Sequence, residues 1–383
     1  MEVDSCSEKS ERSDSIRRYL GSDDDARRDN THYCNLHRTA AALRRCILAT
    51  KIEEVSSMKK FLAICLLVIL MIPALASAET TYTFSIASLE PVGAPTTVSV
   101  EYMCQLVKER SNGRLVINPN PGGVLGAGLQ IMEGVSIGTI DMVSMVLEWY
   151  APFVKDINVY VMGFTFRDGD HFQKFLDSDI FAGMKEQILE NMNVRVLANN
   201  WVGLPRVLVS KKPVTAPEDI ANIKMRVPEI ETYIKVWQGL KTVPTRVAWA
   251  ETYLALKTGT VDAAEGPLDQ MYATKFYEAA PYITLTNHLQ QAFTIGINED
   301  VWNSLPSDLQ SILAESAVEA GEYFKQLIND QFAINRQKML DEGAVINEVD
   351  TVPFQKLLES VIAESEATGF WTPGLYQRVQ DIK

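Results

Sequence analysis

Lys224-Met225-Arg226-Val227-Pro228-Glu229 is a short β-type run closed by a proline. About twenty residues on comes Trp249-Ala250-Glu251-Thr252-Tyr253-Leu254-Ala255-Leu256-Lys257-Thr258-Gly259-Thr260-Val261-Asp262-Ala263-Ala264-Glu265-Gly266-Pro267. The residue before a proline is pushed to extended backbone angles, so Val227 cannot carry the strand into a helix. Arg226 is therefore expected at a strand terminus. Its guanidinium stays charged at any physiological pH and matches a carboxylate through two parallel hydrogen bonds. The natural guest of such a group is a small organic acid.

On both sides of this run the chain alternates strands and helices. Tyr82 to Ala87 alternates apolar and polar residues and reads as a strand, followed by a loop forced by Pro91, Gly93 and Pro95. Val100, Met103, Leu106 and Val107 recur at helical spacing after Thr96, and Asn112-Gly113 is a stop signal. Strands are expected at 114–118, 138–144, 193–199 and 206–210, with a helix over 129–137 before the second of these. Trp201 and Gly203 mark a crossing between lobes, where Trp201 either lines the cleft or braces the crossover. From Trp302 the pattern changes. Pro306 suits a helix's first turn, and Leu309 to Leu340 lacks proline and holds only Gly321. A helix of that length spans two lobes. The order of elements predicts an α/β fold with helices covering sheets.

The same segments resemble the DctP-type solute-binding proteins of tripartite ATP-independent periplasmic (TRAP) transporters. Besides the arginine strand end, the resemblance rests on Leu125-Gly126, Gly138-Thr139-Ile140-Asp141-Met142, Pro217-Glu218-Asp219-Ile220, Glu251 to Leu256 and Thr286-Asn287-His288. It extends over nearly all of residues 79–383. It implies a two-lobed periplasmic binding protein fold, with a cleft between the lobes and a long C-terminal helix spanning them. Residues 79–203 and 292–331 form lobe I on this reading, and 204–291 with 332–383 form lobe II. The resemblance also implies that Arg226 clamps a substrate carboxylate and that Arg206, twenty residues earlier, is a second ligand-facing cation.

Further site residues follow from the resemblance. Trp249 matches an aromatic that packs on the ligand. Met145, Val146 and Trp149 fall where relatives place polar or charged contacts, although as isolated residues they also suit a core. Gly266 stands where many relatives have asparagine, which implies added room and one fewer hydrogen-bonding handle. Ser88 and Glu90 are candidate contacts from the first lobe. Glu265 is expected to serve the lobe's own hydrogen bonds, since a second anion beside the ligand would repel it. The cleft then looks apolar and aromatic, suited to a flat or branched acyl body.

Met58-Lys59-Lys60, an apolar run from Phe61 to Leu75 and Ala76-Ser77-Ala78 have the three parts of a secretory signal, with cleavage expected after Ala78 and export to the periplasm. Its apolar run is short for a membrane span, which needs about 20 residues. The polar stretch 1–57 before it suggests that Met1 is not the true start; a disordered extension before an internal anchor is the other reading. Cys6, Cys34, Cys46 and Cys65 fall before the cleavage point, leaving Cys104 alone and expected to be buried on a helix face. Residues 1–78 hold 12 of the 36 basic and 11 of the 49 acidic side chains, so residues 79–383 carry a net charge of −14. That surface disfavours nucleic acid and anionic lipid as partners.

Enzyme readings find little support. Only His171 and His288 follow the signal, no zinc-binding spacing occurs, and Gly122-Gly123-Val124-Leu125-Gly126-Ala127-Gly128 fits neither phosphate-binding glycine pattern. That stretch reads as a turn leading into a helix. No metal, cofactor or catalytic residue is expected. The reading is a monomeric, extracytoplasmic carrier of a small carboxylate that delivers to membrane TRAP permease subunits. A ligand-sensing subunit for a receptor and a secreted α/β enzyme using cleft carboxylates are the rivals.

Overall fold

A computed structural model describes residues 80–383. The extension expected over 1–57 and the secretion signal expected over 58–78 lie outside the described residues. Two twisted sheets organise the rest. The first has the order β2-β1-β3-β10-β4, from β1 (Tyr82–Ser88), β2 (Leu115–Asn120), β3 (Met142–Val146), β4 (Val194–Val202) and β10 (Ala292–Asn298). The second has the order β11-β9-β5-β8-β6-β7, from β5 (Arg206–Ser210), β6 (Lys224–Val227), β7 (Val243–Arg246), β8 (Ala263–Pro267), β9 (Tyr282–Leu289) and β11 (Val345–Glu348).

In the first sheet β1 pairs in parallel with β2 and β3, while β10 runs antiparallel between β3 and β4. Every residue of β3 and β10 is buried, as expected for central strands covered on both faces. In the second sheet β6 is parallel to β7 and β8, and β5 runs antiparallel to β8 and β9. The carboxyl ends of β1, β3, β6 and β8 thus open toward one crevice, the usual place for a ligand in open α/β sheets.

Local chemistry explains the element ends. Helix Pro95–Arg110 starts on a proline whose missing N–H costs nothing there, and stops where Asn112 and Gly113 take positive φ of 52° and 79°. Cys104 is buried on that helix, as expected. One boundary differs from expectation. Residues 138–141 do not begin a strand, because Gly138 turns at φ 77° and the N–H groups of Thr139 and Ile140 fold back onto the Gly134 carbonyl. The strand begins only at Met142. The glycine-rich stretch 122–128 is a turn that leads into helix Gly128–Ser136, as the sequence predicts.

The chain passes between the sheets at Gly203–Pro205 and again at Gln290-Gln291, and these two passages are tied together by the Gly203 N–H donating to the Gln291 carbonyl (3.1 Å). A third passage is helix Ser307–Asp341, 35 residues long and therefore about 50 Å from end to end. It packs on β4 and on helix Pro95–Arg110, while Met339 near its far end joins the apolar cluster of the second sheet. Trp201 braces this arrangement. Its indole donates to the Ala317 carbonyl (2.9 Å) and stacks on Phe324. Among the described residues no helix is long and apolar enough to cross a membrane.

Candidate functional site

Arg226 stands at the end of β6, and Pro228 ends the strand immediately beyond it. The side chain is only 2% exposed. Its Nε donates to the Val247 carbonyl at 2.9 Å, which fixes the plane of the guanidinium and leaves the two terminal nitrogens without a hydrogen bond among the described residues. The nearest carboxylate, Glu265, is 4.0 Å from Nη1, too far for one. Burial lowers the Arg226 pKa to about 10, which keeps it a cation at neutral pH. The Trp249 ring lies over this cation, 5.3 Å from centroid to Cζ.

Arg206, at the start of β5, has a different environment. Its Nε and Nη2 (2.7 Å) form a forked pair with Glu265, and its Nη1 donates to Glu148 (3.1 Å) and Gln291 (2.9 Å). Four of its five N–H bonds are therefore consumed within the protein. The expected second cation for the ligand is in place beside the first, but its charge is already answered by two glutamates. Burial alone would raise Glu265, yet the Arg206 pair outweighs it and brings the carboxyl down to about 2. Glu265 serves the protein's own bonds, as expected.

Glu90 follows β1, lines the cavity with Arg226 and accepts the Trp249 indole N–H at 3.2 Å. Burial pushes its pKa up to about 7 against the opposing pull of Arg206. Asp269 is likewise raised to about 6 by burial, although it accepts the Leu204 N–H at 2.9 Å. Met145, Val146 and Trp149 line the same cavity at the carboxyl end of β3 and in the turn beyond it. The space is narrow, with about 30 Å³ open to a water-sized body.

Two expected contacts are placed differently. Ser88 is buried at the end of β1, where its carbonyl accepts the Gly123 N–H, and it does not line the cavity. Gly266 offers no added room. A Cβ there would lie 2.8 Å from both Trp249 Cη2 and Met271 Cε, so the expected vacancy is filled by the indole.

Several cavity residues escaped the sequence reading. Glu148 is 2% exposed and bridges Arg206 and the Tyr233 hydroxyl (3.1 Å). Ser144 lines the space with an Oγ that has no hydrogen-bond partner among the described residues. Leu89, Ile230 and Phe293 supply apolar wall. A glutamate next to a tryptophan looks like an ordinary surface charge, and only the three-dimensional meeting with Arg206 shows otherwise. Among the described residues no group of His, Cys, Asp and Glu is arranged to hold a metal ion.

A model of the bacterial extracellular solute-binding protein family 7, DctP, matches residues 86–368. The chain belongs to the DctP family of TRAP solute-binding proteins. The family is one of binding proteins and not of enzymes. A TRAP periplasmic solute binding protein from Roseobacter denitrificans, with bound β-D-glucuronate, superposes with a TM-score of 0.75 at 27% identity over 79% of this chain and 100% of that one. One from Pseudomonas putida F1, with bound D-glucuronate, gives 0.73 at 28% identity over 79% and 98%. Among curated proteins, the 2,3-diketo-L-gulonate-binding periplasmic protein of Escherichia coli is 31% identical over 62% of this chain and 70% of its own length. The two-sheet binding-protein fold and the long helix reaching both sheets accord with the DctP expectation.

Proposed function

We propose that this DctP-family protein captures a small carboxylate in the periplasm and delivers it, as a monomer, to membrane TRAP permease subunits. The observation that carries the reading is Arg226. It is buried, oriented by the Val247 carbonyl and left with its terminal nitrogens facing a cavity, while neighbouring Arg206 is consumed by Glu265 and Glu148. An arginine held in that way is complete only when an anion arrives. The acids bound by the relatives named above are consistent with this.

The body of the ligand is apolar or aromatic on this reading. Polar groups that could answer a row of hydroxyls are few, since Glu148, Arg206 and Glu265 satisfy one another and Glu90 takes the indole N–H. Leu89, Trp149, Pro228 and Trp249 supply apolar wall both here and in a larger space beside Arg226. A hexuronate is the second reading, favoured by the glucuronate in the two similar structures. Lobe I comprises 79–203 with 292–331 and lobe II 204–291 with 332–383, closing about the two tied passages.

A thermal-shift screen of residues 79–383 against carboxylic acids, repeated with Arg226→Ala, tests the reading. A true ligand at 100 times its dissociation constant adds about 2.7 kcal/mol of stability. Stabilisation by any acid that survives Arg226→Ala undiminished would overturn the role of Arg226, and stabilisation by hexuronates alone would replace the apolar body with the sugar.

A further inference from the structure

Arg226 borders two spaces. Together with Leu89, Trp149, Pro228 and Trp249 it lines both the 30 Å³ cavity that holds Glu90, Ser144 and Arg206, and a second space of about 270 Å³. The first has room for about two water molecules, enough for a carboxylate head and little else. The second is walled by Gly123, Gly126 and Gly128 from the first sheet's side and by Val247 to Glu251 from the second's. Arg226 and the two indoles are the partition between them.

Each indole sits where a glycine gives it way. A Cβ at Gly128 would stand 2.1 Å from Trp149 Cη2, and a Cβ at Gly266 would stand 2.8 Å from Trp249 Cη2. Neither glycine is required by backbone strain, for neither has a positive φ. Both are therefore explained by the ring they admit. Trp249 is held in its position by the Glu90 carboxyl at 3.2 Å, across the cleft, and by Phe276, edge-on at 4.9 Å.

Resting on the carboxylate reading above, we infer that Gly128 and Gly266 are specificity-determining residues: by seating Trp149 and Trp249 in the wall that both spaces share with Arg226, they direct the ligand's body into the 270 Å³ space and select a flat apolar one. The class of ligand is an aryl or aryl-alkyl carboxylate, its head on the Arg226 fork and its ring against the indoles. The glycine-rich stretch 122–128 then has a binding role, because its missing side chains make the wall that the ring approaches.

The test is calorimetric titration of residues 79–383 with phenylacetate and with D-glucuronate. The expected wild-type result is tighter binding of phenylacetate. Gly266→Asn and Gly128→Ala should each weaken phenylacetate at least tenfold by displacing an indole, a larger loss than either imposes on glucuronate. Trp249→Phe in the Gly266→Asn background should recover part of the loss, since the smaller ring leaves room for the new side chain. If either glycine variant does not fold, Trp249→Leu and Trp149→Leu carry the test through the same tenfold loss. Wild-type phenylacetate affinity in the glycine variants, or in both leucine variants, overturns the inference. Binding of glucuronate and not phenylacetate by the wild type also overturns it, while leaving carboxylate capture intact; absence of binding to any carboxylate overturns both.

Discussion

Two arginines 20 residues apart share one cavity and differ only in what surrounds them. The terminal nitrogens of Arg226 make no hydrogen bond among the described residues, whereas Arg206 gives its own to Glu265, Glu148 and Gln291. Their truncations should therefore fail in different ways. Arg226→Ala removes two charge-assisted bonds worth roughly 1.5–3 kcal/mol each, so its dissociation constant should rise at least hundredfold by calorimetry with little change in melting temperature. Arg226→Lys should recover only part, because a point charge cannot reproduce the fork. Arg206→Ala instead leaves two buried glutamates without their cation, a loss of about 3–5 kcal/mol. Its melting temperature should drop by roughly 10 °C, and Arg226, the next cation to Glu265, should be drawn to it and lose affinity for ligand as well. A normal melting curve for Arg206→Ala would contradict this division. The first arginine was legible because a proline follows two residues later. The neutralisation of the second was not, since its partner Glu148 comes from the other sheet, 58 positions away.

The loop after β1 carries the pH response. Glu90 faces Arg206, Arg226, Asp269 and Glu148, and accepts from Trp249; burial raises it to about 7. A carboxyl raised on folding favours the protonated state. Its contribution is fully present below the ordinary value near 4.5 and is lost as pH climbs through 7, and Asp269 acts the same way up to about 6. Glu265, held near 2, acts oppositely and only in acid. An arriving anion strengthens Glu90's hold on its proton, so binding takes up a proton and affinity should fall as pH rises from 6 to 8. Glu90→Gln should flatten that slope in titrations at the two pH values. Helix Pro95–Arg110 makes a separate prediction, because burial pushes the Cys104 thiol up to about 12. Its alkylation should be negligible in the native state and rapid in denaturant, as read by mass spectrometry. The sequence was readable wherever periodicity met a strong punctuator, as at Asn112 and Pro306. It misled at 138–141, where a glycine turn folds an apolar segment back onto the preceding helix before the strand can start.

Across the whole molecule, the long helix couples the two sheets. A wedge beneath it should weaken the fold without touching the site. Gly321 packs against Asn200 of β4, and a Cβ there would come within 2.4 Å of Asn200 Oδ1. Gly321→Leu should cost about 1–3 kcal/mol in urea unfolding, with ligand affinity in the surviving folded protein unchanged. The α/β class and the crossing near Gly203 could be read from alternating elements and one uninterrupted run of helix, whereas the two-lobed arrangement followed only from the resemblance to the DctP family. The filling of the Gly266 position by Trp249 could not, because a missing side chain says nothing about which neighbour moves in.

With the lone thiol of residues 79–383 silent inside the protein, a pair of cysteines introduced on opposite rims of the cleft would take spin labels or fluorophores without background from the native sequence. Residues 79–383 are thus a blank gauge for any change in the width of the cleft, and inter-label distances with and without an acid could be recorded with no native residue replaced except the two that carry the labels.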